Sequence, residues 1–490
     1  MRIVLDKKPG SPIYQQISEF FSQAILTGKL TADTRLPSMR SLAQDLGVSR
    51  ITVENAYARL EAEGLVASRV GSGTYVLPVL PITVSPSSGD DSAWPVWQQG
   101  PLARSKRSLQ DSLFRHLADG HGGTDPVYFS GGIGDPCLFP VREFGRVMQR
   151  VIRRDGMEGL SYGEPNGYLP LRRTISQVMT SLGICINPEN ILVTTGSQQA
   201  LSLVVQALLR SDDMVIVEQP TYNGALDLFE ALHIRPIGVP VDEQGMCVEQ
   251  LEPLLQTYHP KLIYTIPNFQ NPTGACLSSS RRRALLALAL RYNVPILEDD
   301  YVGDLRYDGC TQPALKSLDP CGTVIYVSTF SKMLMPDLRV GFLAADGPIY
   351  ETLVNLKCLN DLATSNLTQR ALNSFLSVGS YQAHLRKTIR IYKKRREAMV
   401  AAVDRYLNGC VAYSVPQGGL FLWLRLIGQV DGGALIRQAV DAGVGFAPGA
   451  GFFIDKSAGE QFLRLNYAYQ TEVSIDKGIR RLAEALARLN

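Results

Sequence analysis

Apolar residues recur at helical spacing through Ile13, Ile17, Phe20, Phe21, Ala24 and Ile25, and Gly28 stops the run, so the pattern predicts a first amphipathic helix. A second, shorter helix is expected over about 38–46: Ser38 suits an N-cap, Leu42 and Leu46 share a face, and Gly47 suits the left-handed turn that closes a helix. Ser49 opens a third. Its buried stripe is Val53, Ala56, Tyr57 and Leu60, which leaves Arg50, Thr52, Asn55 and Arg59 on or beside the outer face. After Gly64 the runs 65–69 and 74–76 read as short strands joined through Gly71-Ser72-Gly73, a hairpin signal. Three helices and such a hairpin make a winged helix-turn-helix; a small helical protein-interaction module has the same outline.

Periodicity then fades. From about 77 to 125 the run PVLPITVSPSSGDDSAWP is rich in Pro, Ser and Gly, as an extended connector would be. Residues 108–117 suggest a short helix, and Arg104, Lys106, Arg107 and Arg115 are either a solvated charge run or a supplementary phosphate contact. Beyond 126, apolar strand-like runs (190–195, 214–218, 261–266, 295–299 and 323–328) alternate with helical stretches and end at polar or Gly-rich turns. That alternation predicts an α/β fold with a mostly parallel sheet, whose ligands gather at the carboxyl ends of the strands. The expected organisation is a helical reader over 1–77, a connector over 78–125 and an α/β domain over 126–490.

Composition changes this picture little. A 45% hydrophobic and 19% charged chain has ample material for a large core, and a net charge of +3 offers no global attraction to nucleic acid, so any such case is local. The start, MRIVLDKKPGS, has no apolar stretch behind its basic residues and no run of about 18 apolar residues follows, so neither a signal peptide nor a membrane span is expected and the placement expected is cytoplasmic. Eight cysteines without CxxC spacing read as reduced thiols, and five dispersed histidines give no metal cluster.

Charge at particular positions says more. Arg50 lies in the first turn of its helix, where a cation opposes the helix dipole at a cost of a few tenths of a kcal/mol or more; a bound DNA phosphate reverses that sign. In the α/β domain the strand ending at Thr195-Gly196 leads into a helix whose Ser197 and Gln198 amides favour a phosphate, although a tight connection looks the same. Tyr222 either stacks on an aromatic ring or packs. Asn271, in Asn-Pro-Thr-Gly, can donate to a phenolate oxygen, with Pro272 fixing its approach. A carboxylate at Asp299 would keep a pyridine nitrogen cationic and the Tyr301 phenol could reach the ring oxygen, whereas an acidic pair at a strand end can also cap a turn. Lys332, in VSTFSKMLMPDLRVGF, could join an aldehyde, because a lysine amine loses its proton readily on burial or beside other cations. Arg339 and the Thr329 hydroxyl would complete a phosphate cradle. Arg464 sits in an apolar strand-like run, where it needs either a structural Asp or Glu or a ligand carboxylate.

The runs LPSMRSLA (36–43), LGVSRITV (46–53) and GSGTYV (71–76) resemble the GntR-family DNA-binding domain. The resemblance implies that Arg40 and Arg50 contact phosphate or base edges, that Ser38, Ser49 and Thr52 hydrogen-bond DNA, that Gly71 and Ser72 form the wing tip, and that Arg69 assists. Residues 126–490 resemble the fold-type I aminotransferases, which implies pyridoxal 5′-phosphate held as an aldimine at Lys332 by Ser197, Gln198, Tyr222, Asn271, Asp299, Tyr301, Thr329 and Arg339. It also implies a homodimer in which Tyr162 reaches the neighbouring subunit's cofactor, a substrate carboxylate at Arg464, and Gly134 close to that carboxylate. The fusion resembles the MocR/GabR regulators. The expectation is a regulator that binds double-stranded DNA and responds to pyridoxal phosphate or a small amino compound. A working aminotransferase is the alternative, and a cofactor-binding protein whose winged helix meets another protein is a third reading.

Overall fold

The computed structural model describes residues 3, 5, 11–69, 71–78 and 125–489, and the chain divides into two compact units, Met1–Ser105 and Lys106–Asn490. In the first, α1 (Ile13–Leu26), α2 (Met39–Leu46) and α3 (Arg50–Ala62) precede the antiparallel pair β1 (Val66–Arg69) and β2 (Gly73–Val76). The caps explain the boundaries. Ser38 and Ser49 accept from the Ser41 and Thr52 amides at 3.1 and 3.2 Å, and Gly47 takes a left-handed φ of 63°. The expected stripe is the core: Val53, Ala56, Tyr57 and Leu60 are buried against Ile17 and Phe21, each large apolar side chain contributing about 1.5–3 kcal/mol. The Tyr57 hydroxyl donates to the Pro37 carbonyl at 2.8 Å, tying α3 to the entry of α2. Residues 33–36 pair along β2, with Leu36 N–H donating to Thr74 O at 2.9 Å and Val76 N–H to Thr34 O at 3.0 Å. The expected connector, with its helix at 108–117 and the cations Arg104, Lys106, Arg107 and Arg115, lies outside the described residues except at its two ends.

In the second unit the short β3 (Val127–Tyr128) is followed by a large sheet of β4 (Ile191–Thr194), β5 (Met214–Gln219), β6 (Arg235–Asp242), β7 (Gly245–Met246), β8 (Leu262–Thr265), β9 (Ile296–Asp300), β10 (Val324–Thr329) and β11 (Gly341–Ala344). Their order is β4-β11-β10-β9-β8-β5-β6-β7, with β7 and β11 antiparallel to the rest. β4, β8, β9 and β11 are buried at every position, as strands covered on both faces must be. The five expected strands are present. Three were not anticipated: β6 carries Pro236 and Pro240, which argue against a strand reading, β7 has two residues and β11 four.

A second, antiparallel sheet also departs from expectation. It joins β12 (Val411–Ala412), β13 (Phe421–Leu426), β15 (Ala447–Pro448) and β16 (Phe462–Asn466), while β14 (Val444–Gly445) pairs with β3. Arg464 therefore stands in mid-strand of this smaller sheet, opposite Trp423 and Ala447, and not at a carboxyl end of the large one. No helix among the described residues is long and apolar enough to cross a membrane.

Candidate functional site

On the first unit, Arg40 and Arg50 are exposed in the opening turns of α2 and α3, and neither has an ion-pair partner: the pairs among the described residues of this unit are Arg59–Glu63 at 3.0 Å and Arg69–Asp33 at 3.3 Å. Arg69 is thus already paired, and it lies over the Tyr75 ring at 4.8 Å. The Ser49 and Thr52 hydroxyls share a 2.8 Å hydrogen bond, and Ser72 shares one of 2.7 Å with the Tyr75 hydroxyl. Gly71, with φ 75°, turns the hairpin tip. The face offers two guanidiniums without an ion pair among the described residues at helix starts, where the dipole also favours an anion.

In the second unit the carboxyl ends of β4, β5, β8, β9 and β10 bring together most of the expected cleft residues. Asp299 is 3% exposed; its Oδ2 accepts from the Tyr264 hydroxyl at 2.9 Å and its Oδ1 has no partner. Asp300 differs, because both its oxygens are occupied, by Asn268 Nδ2 at 3.3 Å and the Tyr326 hydroxyl at 2.7 Å. Lys332 is half-buried. Burial first, then the Arg464 and Arg339 charges, pull its ammonium below the ordinary lysine range, against the opposing pull of Asp299.

Gly196, at φ 85°, precedes the helix Ser197–Leu208, whose first amides carry no side-chain cap. A Cβ at Gly196 would meet Arg339 Nη2 at 2.9 Å, and one at Gly341 would meet the Ser197 nitrogen at 2.8 Å, so the two glycines let guanidinium and helix start converge. Arg339 donates to Thr195 O at 3.0 Å. The Gln198 side chain is spent on Gly224 O at 2.9 Å and on the Tyr222 hydroxyl at 3.2 Å, leaving its backbone amide for a ligand.

Arg464 is 6% exposed and donates to Asn271 Oδ1 at 2.8 Å and to the Ser130 and Gly131 carbonyls at 3.1 and 3.4 Å. It stacks 3.9 Å over Phe421 and 4.9 Å over Phe452, its Nε has no acceptor, and it makes no ion pair with an Asp or Glu among the described residues. Burial pulls it down to about 10. The Asn271–Pro272 peptide is cis.

Several expected residues sit differently from the simplest reading. The Tyr301 hydroxyl donates to Phe269 O at 3.0 Å, and Thr329 Oγ1 donates to Val340 O at 3.2 Å while accepting from the Ser331 amide at 3.2 Å. Gly134 lies against Tyr392, whose hydroxyl a Cβ there would overlap; the backbone touching Arg464 is that of Ser130 and Gly131. Tyr162 is 88% exposed, beside exposed Met157 and Leu160. Three residues escaped the sequence reading. Tyr264 orients Asp299, and its signal was a hydroxyl inside an otherwise apolar strand. Asn466 donates to Gly131 and Ile133 carbonyls at 3.0 and 2.8 Å and shares a strand face with Arg464 two residues away. Ser331, next to Lys332, has a buried hydroxyl without a partner.

These loose ends fit a phosphorylated, cationic ring. Asp299 Oδ1 would accept from a ring N–H, Asn271 Nδ2 remains free to donate to a ring oxygen, and the uncapped helix start with Arg339 and Ser331 suits a phosphate. Without such a ligand, burial pushes the carboxyls of Asp299, Glu218 and Glu298 up to about 7. Folded values above the ordinary carboxyl range favour the fold at low pH, and that contribution is lost as pH rises through about 7. The cofactor-free protein is therefore expected to melt at a higher temperature near pH ~5.5 than near pH ~8 in scanning calorimetry. A ligand cation opposite Asp299 should narrow the difference; a gap unchanged by Asp299→Asn would refute the assignment to this group.

Residues 132–482 match the family described as aminotransferase class I and II, and residues 13–76 match the bacterial regulatory proteins of the gntR family. Over nearly its whole length the chain is similar to two regulators. One is the HTH-type transcriptional regulator YdfD of Bacillus subtilis (strain 168), 30% identical, with 98% of this chain and 97% of YdfD covered. The other is named "Probable rhizopine catabolism regulatory protein MocR", from Rhizobium meliloti, 31% identical over 99% of this chain and 96% of MocR. Among solved structures, the α-aminoadipate aminotransferase LysN of Thermus thermophilus, complexed with N-(5′-phosphopyridoxyl)-L-leucine, superimposes with a TM-score of 0.74 at 34% identity, covering 81% of this chain and 99% of LysN.

Proposed function

Because the chain belongs to the aminotransferase class I and II family, in the MocR-type branch that carries a gntR-type reader in front of that domain, we propose that it is a transcription regulator whose input is pyridoxal 5′-phosphate or an amino compound presented to it. The observation that carries the sensing half is Arg464, a buried guanidinium with an unfilled Nε and no acidic partner among the described residues, in the same cleft as Lys332. Leaving such a group without a carboxylate is costly, and an amine bearing one would offset the cost.

When bound, the cofactor supplies an aldehyde that condenses with amines and a cationic ring that withdraws electrons. The chain's own parts are as follows. Lys332 offers an amine whose lowered proton affinity leaves more of it neutral and nucleophilic at neutral pH. Asp299 Oδ1 holds a proton on the ring nitrogen, while Tyr264 keeps that carboxylate in place. The Ser197 and Gln198 amides, Arg339 and Ser331 would hold the phosphate, and Asn271 Nδ2 would donate to the ring oxygen, whereas the Tyr301 hydroxyl donates to Phe269 O. Tyr222, held by its hydroxyl on Gln198 Oε1, would flank the ring. A ligand carboxylate at Arg464 gives the occupied cleft an interaction energy that the empty one lacks, which any two-state switch requires. The reading includes a cytoplasmic homodimer, with exposed Tyr162 completing the partner's phosphate site.

On the first unit the outer face of α3, with the wing tip at Gly71 and Ser72, meets DNA. Arg50→Ala is expected to weaken binding of a duplex taken from upstream of the protein's own gene, and to lower the slope of log affinity against log salt by about 0.9, one phosphate contact. Fluorescence anisotropy over a salt series measures both, and an unchanged slope would remove Arg50 from the interface. The same titration with and without cofactor and carboxylated amines tests the sensor; DNA affinity indifferent to every combination would end that reading.

The complete cleft also supports a second reading as an aminotransferase, favoured by the free Asp299 oxygen and by the depressed Lys332 ammonium. Steady multiple turnover between an amino acid and a keto acid, at rates near the enzyme median of about 10 per second, would make catalysis the main activity.

A further inference from the structure

The solvent faces of two neighbouring helices in the second unit are strongly cationic. On Val141–Leu160, whose regular turns end at Gly156 (φ 52°), Phe144, Val147 and Val151 are buried, while Arg142, Arg146, Arg150 and Arg153 are exposed. On Ser380–Tyr406, Tyr381, Thr388 and Tyr392 are buried, and Arg386, Lys387, Arg390 and Lys394 are exposed. The helix Asn366–Ser377 packs against both, with Phe144 on Phe375 at 5.8 Å between rings joining it to the first; on the second, burial pulls His384 toward its neutral form, opposed by the Met333 carbonyl and, more weakly, by the charge of Glu143 on the first helix.

None of these eight cations has an ion pair among the described residues. Of the neighbouring acids, Glu143 is exposed beside Arg142 and Arg146 without an ion pair among the described residues; the others are engaged elsewhere, Asp155 with Arg154 at 2.5 Å and Arg370 at 3.0 Å, Glu158 with Arg370 at 2.7 Å, and Glu397 3.8 Å from Arg396. Like charges four residues apart, as in Arg142–Arg146–Arg150 and Arg386–Arg390–Lys394, each destabilise a helix by about 0.2–0.5 kcal/mol. In a chain whose net charge is only +3, such a concentration is local. A polyanion lying along these faces would turn the repulsion into attraction.

We propose that this paired face is a second nucleic-acid contact, holding the phosphate backbone of duplex DNA without reading sequence. The proposal rests on the regulator reading, which makes DNA the polyanion this chain handles. At 1.5 Å per residue, Arg142 to Arg153 spans about 16 Å and Arg386 to Lys394 about 12 Å. Duplex DNA carries a negative charge about every 1.7 Å of axis, so each run faces several phosphates. Arginine suits the task, since its fork binds phosphate oxygens in pairs. The reader would choose the site, and this face would add affinity and salt dependence over duplex beyond it.

The test uses the full-length protein and a 60-bp mixed-sequence duplex, about 60 bp being ample for non-specific contact. In the variant Arg146→Gln/Arg150→Gln/Arg390→Gln/Lys394→Gln, the slope of log affinity against log salt is expected to fall by up to about 3.6, about 0.9 per phosphate contact, and affinity at low salt by about tenfold or more. Arg50→Ala is measured beside it. A wild-type slope and affinity in the quadruple variant, with Arg50→Ala still impaired, would overturn this proposal and leave the reader standing. No DNA binding by the wild type would instead sink the regulator reading. Retained DNA binding with lost binding to phosphatidylserine vesicles would reassign the face to an anionic membrane surface and also overturn the proposal. An unchanged circular dichroism spectrum and melting temperature separate these outcomes from misfolding; should the quadruple variant misfold, the pairs Arg146→Gln/Arg150→Gln and Arg390→Gln/Lys394→Gln are each expected to lose about half the slope change, and wild-type slopes in both would overturn the proposal.

Discussion

Lys332→Ala is expected to abolish covalent retention of pyridoxal phosphate. After incubation with cofactor, borohydride reduction and digestion, the wild-type protein should yield a pyridoxylated peptide spanning residue 332, and the variant none. The amine is hard to replace here because Lys332 is the lysine on which the fields of Arg464, Arg339 and Asp299 act. Its pH dependence carries the same signature. A lysine whose pKa is depressed by burial and two guanidiniums has its neutral form populated at lower pH than an ordinary lysine, so capture should rise with pH and reach half-maximum below the ordinary lysine value of about 10.4. Arg339→Gln removes one of the two charges and should move that midpoint upward. Capture at another lysine in the wild type, or a midpoint at the ordinary value, would displace Lys332 from the role proposed for it.

Arg464→Gln is the second large effect. Its charge-assisted bonds to a carboxylate are worth about 1.5–3 kcal/mol each, so losing the guanidinium should weaken binding of a carboxylated amine by roughly 10- to 100-fold or more while sparing amines that lack the carboxylate. The comparison of an amino acid with its decarboxylated counterpart, titrated into cofactor-loaded protein and followed by its absorption, isolates this term. Equal losses for both ligands would mean that Arg464 supports the cleft and does not recognise the carboxylate. Cofactor retention in this variant should persist, since the phosphate groups and Asp299 are untouched, and that persistence separates the expected result from collapse of the site.

The local parts of this protein were legible before the structure was. Ser38, Gly47 and Ser49 set helix boundaries through interactions within a few residues, and the stripe from Val53 to Leu60 follows from a period of 3.6. The strands ending at Thr194, Asp300 and Thr329 were legible for a similar reason, because a strand buried on both faces is a short apolar run. What stayed hidden depends on contacts between distant segments. Whether Arg464 had an acidic partner could not be read from Phe462–Asn466, because its neighbours are Asn271 and the backbone of Ser130 and Gly131. The division of labour in Asp299-Asp300 is equally non-local, decided by Tyr264 on one strand and Tyr326 on another. β6 was concealed by its prolines. The two cationic helices were passed over because a count over the whole chain averages them away.

The hydrogen bonds from Arg464 to the carbonyls of Ser130 and Gly131 have a thermodynamic consequence. Those carbonyls belong to the polypeptide just beyond the connector and lie next to the guanidinium at all times, so they act as a tethered competitor for it. An incoming carboxylate gains only the difference between its own bonds and the ones it displaces, and its apparent dissociation constant is raised accordingly. On the sensor reading proposed above, the cleft would answer to an abundant carboxylated amine and ignore traces of it.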